Sequence, residues 1–200
     1  MSHRTEEIAA AAAQLVVDEG MEYGAARGKA ARQVAGRSVR PGEMPRNDEV
    51  EAAVRSLLAT FHADTQPVEL AALRRLAERW MDRLAAYRPH LGGAVWRGTA
   101  TRRSAVMLDL YCDDSKAAEV DLINQGIDYD AGGDQDDLQV LTLAAPCPEL
   151  GENITLHLLV HDLDDLRGAL KPDAQGETWR GDLAALRRRM AADAAAGEAP

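Results

Sequence analysis

The hydrophobic period of this chain changes once, near residue 90. Up to Tyr87, apolar residues recur every three or four positions; beyond Gly92, short segments alternate in type between glycine and proline breaks. Helices followed by a small mixed sheet with helices around it predict an α+β fold. The strongest helical signal runs from Pro67 to Tyr87. Leu70, Leu73, Ala77, Trp80, Leu84 and Tyr87 form one stripe, with arginines and acids opposite. Pro67 suits a first turn, and Pro89 ends the helix.

The same period predicts a helix from Thr5 to about Val34, capped by Thr5 and broken near Gly20 and Gly24. A second spans Glu49 to His62, with Val50, Val54, Leu57, Leu58 and Phe61 on one face. Beyond residue 90, strands are predicted at Gly93–Arg97, Val106–Cys112, Leu138–Leu143 and Ile154–His161, with a short edge strand at Ile127–Tyr129. Helices are expected at Ser115–Gln125, Asp164–Leu170 and from Asp182 to about Met190. The glycines and acids of Ala131–Asp137 read as a loop. The expected organisation is a helical region over 1–88, an α+β core over 89–190 and a disordered tail over 191–200.

No run approaches the ~18 apolar residues of a membrane span. The stretch Ile8–Val17 follows acids rather than a basic segment, so it reads as a helix and not as a signal peptide, in a cytoplasmic protein without a membrane role. Cys112 and Cys147 fit no zinc or redox spacing and read as buried thiols. A net charge of −10 argues against a surface that is a nucleic-acid platform throughout.

The segment from Leu91 to Leu110 reads Leu-Gly-Gly-Ala-Val-Trp-Arg-Gly-Thr-Ala-Thr-Arg-Arg-Ser-Ala-Val-Met-Leu-Asp-Leu. It resembles the opening of the nucleotidyltransferase fold shared by polymerase-β-like and minimal bacterial nucleotidyltransferases: strand, glycine turn, short helix, and a second strand carrying Asp-x-Asp. The resemblance covers about residues 90–165. It implies a mixed sheet of nucleotidyltransferase type and descent from enzymes that move a nucleoside monophosphate from a triphosphate to a hydroxyl.

Such chemistry needs a divalent metal on the triphosphate, and magnesium takes oxygen ligands. Two carboxylates at i and i+2 of a strand share a face about 6–7 Å apart, and a glycine turn lets backbone amides approach phosphate. This chain lacks the pair. If Ser104 is the motif serine, Ala105 and Met107 stand where the acids would be. If the register slips by two, the pair is Met107 and Asp109. Asp109 alone survives as a candidate catalytic carboxylate. The glycine turn is Gly98-Thr99 or Gly92-Gly93; a plausible preceding strand favours the former, so the resemblance assigns nucleotide binding to Arg97, Gly98, Thr99 and Ser104. Magnesium is implied only if transfer survives, and no other cofactor is indicated.

His157 and His161 would chelate together on a helix, but on a strand they stand ~13 Å apart and do not. Asp109, Gln139 and His157 are the expected pocket floor. Asp113-Asp114 and the acids after His161 read as helix caps. The acidic loop of Asp134, Asp136 and Asp137 lacks EF-hand spacing.

Residues 24–46 carry Arg27, Lys29, Arg32, Arg37, Arg40 and Arg46 against the single acid Glu43. Polarised charge is the footprint of phosphate binding, so nucleic acid or an acidic protein is the partner this segment would take. A solvated helix face and loop paired with acidic surface elsewhere is the plainer account. The two functional expectations are a degenerate nucleotidyltransferase-like protein that binds nucleotide or a partner with weak or no transfer, and a non-enzymatic adaptor using the basic segment.

Overall fold

The computed structural model describes residues 2–36, 39–133, 138–172 and 176–197. The chain divides into two compact units. One holds residues 1–70 with 99–104; the other holds 71–98 with 105–200. The division falls inside a helix at residue 70, whereas the change of period placed it at 88.

The first unit is built on α1 (His3–Glu19), α2 (Tyr23–Ala35) and α3 (Asn47–Phe61). Ser2, not Thr5, caps α1: its hydroxyl accepts the Thr5 N–H at 3.2 Å. Gly20 ends α1 with φ +69°, and a Cβ there would lie 2.8 Å from the carbonyl carbon of Arg103 and closer still to its oxygen. Gly24, expected as a second break, lies inside α2. Alanines allow close packing here. Ile8, Ala12, Val16, Ala26, Ala30, Val50 and Val54 are buried together, and each larger aliphatic side chain contributes about 1.5–3 kcal/mol. Phe61, placed on the same stripe as Val54 and Leu58, is 74% exposed.

In the second unit, α4 (Gln66–Arg83) continues past residue 70 and buries Leu73, Ala77, Trp80 and Leu84 as its stripe predicts. Arg74, expected on the solvent side, is buried too. β1 is His90–Gly92, and the segment Gly93–Arg97, expected as a strand, is the short helix α5. Gly93 is the cause: at φ +63° it turns the chain out of β1, and Val95 and Trp96, adjacent in sequence, are both buried, as a helix turn allows and a half-exposed strand does not.

β2 (Val106–Cys112) and α6 (Ala117–Asn124) follow as expected. The edge strand β3 is Asp130–Gly133, three residues beyond its expected place, and it takes up the start of the expected loop. Residues 134–137, with Asp134, Asp136 and Asp137, lie outside the described residues. β4 (Gln139–Cys147) and β5 (Glu152–Asp162) form a longer hairpin than predicted. Pro146 is tolerated in β4 because β3 pairs only as far as Thr142, leaving the rest of β4 an edge. Asp162 caps the turn after β5, its carboxylate accepting the Asp164 N–H at 2.9 Å; Asp114 accepts the Lys116 N–H at 2.9 Å in the turn before α6, whose N-cap is Lys116 rather than Asp114. A short turn leads into α7 (Leu166–Ala169). Asp182 accepts the Ala185 N–H at 2.7 Å and opens α8 (Leu183–Gly197). That helix runs seven residues beyond the expected end at Met190, so most of the expected disordered tail is helical.

The sheet order is β1-β2-β5-β4-β3, with β2 parallel to β5 and the other pairs antiparallel. Alternation splits its side chains between two faces. Val106, Leu108, Leu110, Leu141, Leu143, Leu156 and Leu158 occupy the buried face. Met107, Asp109, Tyr111, His157, Leu159, His161 and Thr142 lie on the other. That face is closed near Tyr111 and open across β4, where Ala144 is exposed and Thr142 half-buried.

Candidate functional site

The candidate site grows from one residue out of character for its position. Asp109 sits mid-strand in β2, opposite His90 on β1 and Leu159 on β5, and is 5% exposed. A carboxylate so placed needs donors. Its Oδ1 accepts from His161 Nε2 at 2.6 Å and forms an ion pair with Arg180 Nη1 at 3.2 Å. Arg180 Nη1 also donates to the Tyr111 hydroxyl at 2.8 Å.

The strand register explains the grouping. Tyr111 pairs with His161 across the parallel ladder, and their rings stack at 5.1 Å and 20°. His90 meets the Tyr111 ring edge-on at 5.3 Å, and its Nδ1–H donates to the Arg88 carbonyl at 2.8 Å. Burial, and next the charge of Asp109, push the Tyr111 hydroxyl above its ordinary pKa. His161 reaches back one same-face position along the sheet to Asp109, while His157, four residues earlier, pairs with Met107. His157 bonds instead to the Thr142 hydroxyl at 2.9 Å, and burial lowers its pKa.

Arg180 arrives on residues 176–182, the segment leading into α8. Leu91 and Gly181 exchange backbone hydrogen bonds of 2.8 and 3.0 Å, tying this segment to β1. Trp96 Nε1 donates to the Thr178 carbonyl at 2.8 Å, and Arg97 lies over the Trp179 ring at 4.6 Å. Gly92 fits the same place: a Cβ on it would stand 3.3 Å from Asp109 Oδ2, and one on Gly93 would stand 3.1 Å from Met107 Sδ. The glycine pair beside β2 is Gly92-Gly93, at the junction where β1 ends and α5 begins.

The expected Gly98-Thr99 turn has other duties. Gly98 closes α5 at φ +80°. Thr99 belongs to the first unit, its hydroxyl 2.5 Å from that of Tyr23. Ser104, in the same unit, accepts the Thr101 N–H at 3.1 Å. Gln139 is on the opposite sheet face from Asp109, since it pairs with Val160, and its amide donates to Glu119 at 2.9 Å. The expected trio of Asp109, Gln139 and His157 is thus not brought together. The structure groups Asp109 with His161, Arg180, Tyr111 and His90. Nothing in the sequence marks Arg180.

The residues do not fit magnesium. Asp109 Oδ1 already faces the His161 donor and the Arg180 cation, its strand neighbour Met107 offers sulfur, and Ala105 offers nothing. Among the described residues no group of three or more His, Cys, Asp or Glu is arranged to hold a metal ion. His157 and His161 both lie on β5.

An open cavity of about 370 Å³ lies further along, lined by Asp128, Tyr129, Asp130, Thr142, Ala144 and Thr155. In the basic segment, Arg27 donates to the Pro45 carbonyl and to Asn47, Lys29 pairs with Glu19 at 2.6 Å, and Arg46 pairs with Asp48 at 2.8 Å. Arg37 lies outside the described residues. No helix among the described residues is long and apolar enough to cross a membrane.

The fold defines an α+β protein with a five-stranded mixed sheet and N-terminal helices. Searches of protein families, curated proteins and solved structures find no match to the chain.

Proposed function

We propose that this is a nucleotidyltransferase-like protein that binds nucleotide without metal-dependent nucleotidyl transfer. The observation that supports it is the juxtaposition of Gly92-Gly93, between β1 and α5, with Met107 and Asp109 on β2. That order of strand, glycine turn, short helix and motif strand is the one the resemblance implies. Asp109 has Arg180 and His161 as its counter-charge and donor, where two-metal chemistry needs open carboxylates.

Calorimetric titration with ATP, CTP, GTP and UTP, with and without magnesium, tests this reading. Binding of at least one nucleotide, unchanged by magnesium and with no pyrophosphate released, is the expected result. Absence of binding at millimolar nucleotide, or magnesium-dependent pyrophosphate release, overturns it. The adaptor reading draws less support, because Arg27, Lys29 and Arg46 already have partners in their own unit.

A further inference from the structure

Arg180 and His161 share one buried acceptor and leave their other polar atoms uncommitted. Only Nη1 of Arg180 is engaged, by Asp109 and Tyr111; among the described residues Nε and Nη2 have no partner. His161 gives Nε2–H to Asp109, and its Nδ1 has no partner among the described residues either. The two side chains keep 29% and 17% of their surface exposed. Both are held in place before any ligand arrives. Asp109 fixes one end of each, Tyr111 stacks on the imidazole, and the Leu91–Gly181 hydrogen bonds anchor the backbone beside Arg180.

We propose that Arg180 and His161 form a phosphoryl-anion subsite that works without metal. A guanidinium presents a planar fork that matches two phosphate oxygens, and its unused N–H groups are that fork. His161 Nδ1 meets a third oxygen, donating to it as the imidazolium or, as the neutral ring, accepting from a protonated phosphate. Asp109 is then a positioning residue: it orients both groups and offsets part of their charge, which keeps the anion exchangeable. Fixed donors lower the ordering cost of binding. The subsite rests on the nucleotide-binding reading for its natural ligand, since a Cβ on Gly92 would stand 4.0 Å from Arg180 Cβ. The phosphoryl chemistry itself stands on the donors alone.

The test uses the full chain, labelled with nitrogen-15 in its histidine rings, in buffer with a chelator. It is titrated with inorganic pyrophosphate and, separately, with ATP. Both are expected to move the His161 ring signals, assigned by their loss in His161→Gln. Arg180→Lys keeps a cation beside Asp109 but loses the fork, and is expected to weaken both ligands about 10–100-fold. His161→Gln, whose amide still donates to Asp109, is expected to weaken them about 3–10-fold and supplies a second, independent variant. If ATP binds but the His161 signals stay still and both variants bind as the parent does, the subsite is wrong and the nucleotide reading stands. If pyrophosphate binds through these residues and no nucleotide does, the subsite stands and the nucleotide reading falls. Failure of both ligands at millimolar concentration overturns both.

Discussion

Replacing Gly181 by alanine should destabilise the second unit by about 3 kcal/mol, and the figure follows from what the new methyl meets. A Cβ at Gly181 would stand 2.5 and 2.6 Å from Trp96 Cζ3 and Cζ2, and closer still to Cη2. Ordinary contact needs about 3.5–4 Å, so a rigid ring must retreat by more than an ångström. Trp96 has little room to do so. It is 3% exposed, its Nε1 holds the Thr178 carbonyl at 2.8 Å, and Arg189 lies over its face at 4.2 Å. Overpacking costs about 1–3 kcal/mol, the hydrogen bond about 1 and the cation–π contact about 0.5–1. For a chain of this length that is a fall in Tm of roughly 6–12 °C. Urea unfolding followed by near-UV circular dichroism reads the change, and Trp96→Leu supplies the control. With the ring shortened, Gly181→Ala should cost at least ~1 kcal/mol less than in the parent background. A change below ~0.5 kcal/mol for Gly181→Ala alone would refute the packing that holds Arg180 against Asp109.

Four further outcomes test other parts of the structure. Arg74, buried and donating to the Val95 and Trp96 carbonyls as well as to Asp193, should cost about 2–4 kcal/mol when changed to alanine, whereas Asp193→Ala should cost under ~1 because that carboxylate is 58% exposed; urea midpoints separate the two. Gly20→Ala, forced to φ +69° against the Arg103 carbonyl, should destabilise the first unit by more than ~2 kcal/mol in the same assay. His157 has its pKa lowered by burial, so the folded chain binds fewer protons there than the unfolded chain; stability should fall as pH drops below ~6.5, and His157→Gln should flatten that slope. Glu119 is pulled down to about 2 by Lys116 first, then by Tyr129 and Gln139, so its carboxyl carbon should titrate near there by NMR and move upward in Lys116→Ala.

Periodicity made the helices and most of the sheet legible, because burial enforces the pattern that the eye reads. The stripe from Leu70 to Leu84 and the alternation of Val106–Cys112 are cases of this. Gly93–Arg97 reads as a strand in sequence because four apolar or small residues before Arg97 carry no period; the positive φ at Gly93 decides the matter. The edge strand Asp130–Gly133 was shifted because its four residues are all exposed, so no burial pattern marks it. Asp109 was legible as the odd residue on a strand. Its partners were not, since His161 and His157 are separated only by the register of β5 against β2, a long-range fact that strand composition does not contain. Arg180 was beyond reach for the same reason: it lies 71 positions from Asp109 by number and is delivered by two backbone hydrogen bonds between Leu91 and Gly181.

The charge balance at Asp109 bears on which substitutions could create a metal site there. A two-metal centre holds several carboxylates whose mutual repulsion the cations relieve. Here one carboxylate faces one guanidinium and one imidazole, so the cluster is already near neutrality without an ion. Adding a second acid by Met107→Asp places it two residues from Asp109 on the same face, beside Gly93 and opposite His157. With Arg180 in place, that acid meets a site whose central oxygen is occupied, and magnesium gains little. With Arg180→Gln in the same chain, Asp109 loses its cationic partner and two carboxylates stand about 6–7 Å apart facing the same side. Magnesium-dependent stabilisation is therefore expected in the double variant and not in Met107→Asp alone, read as the shift in Tm between chelator and 10 mM magnesium, about 2 kcal/mol or more if the ion binds with a dissociation constant near 0.3 mM. Equal responses in the two variants would mean that Arg180 does not govern the electrostatics of this face, and the reading of Arg180 as the counter-charge of Asp109 would fall with it.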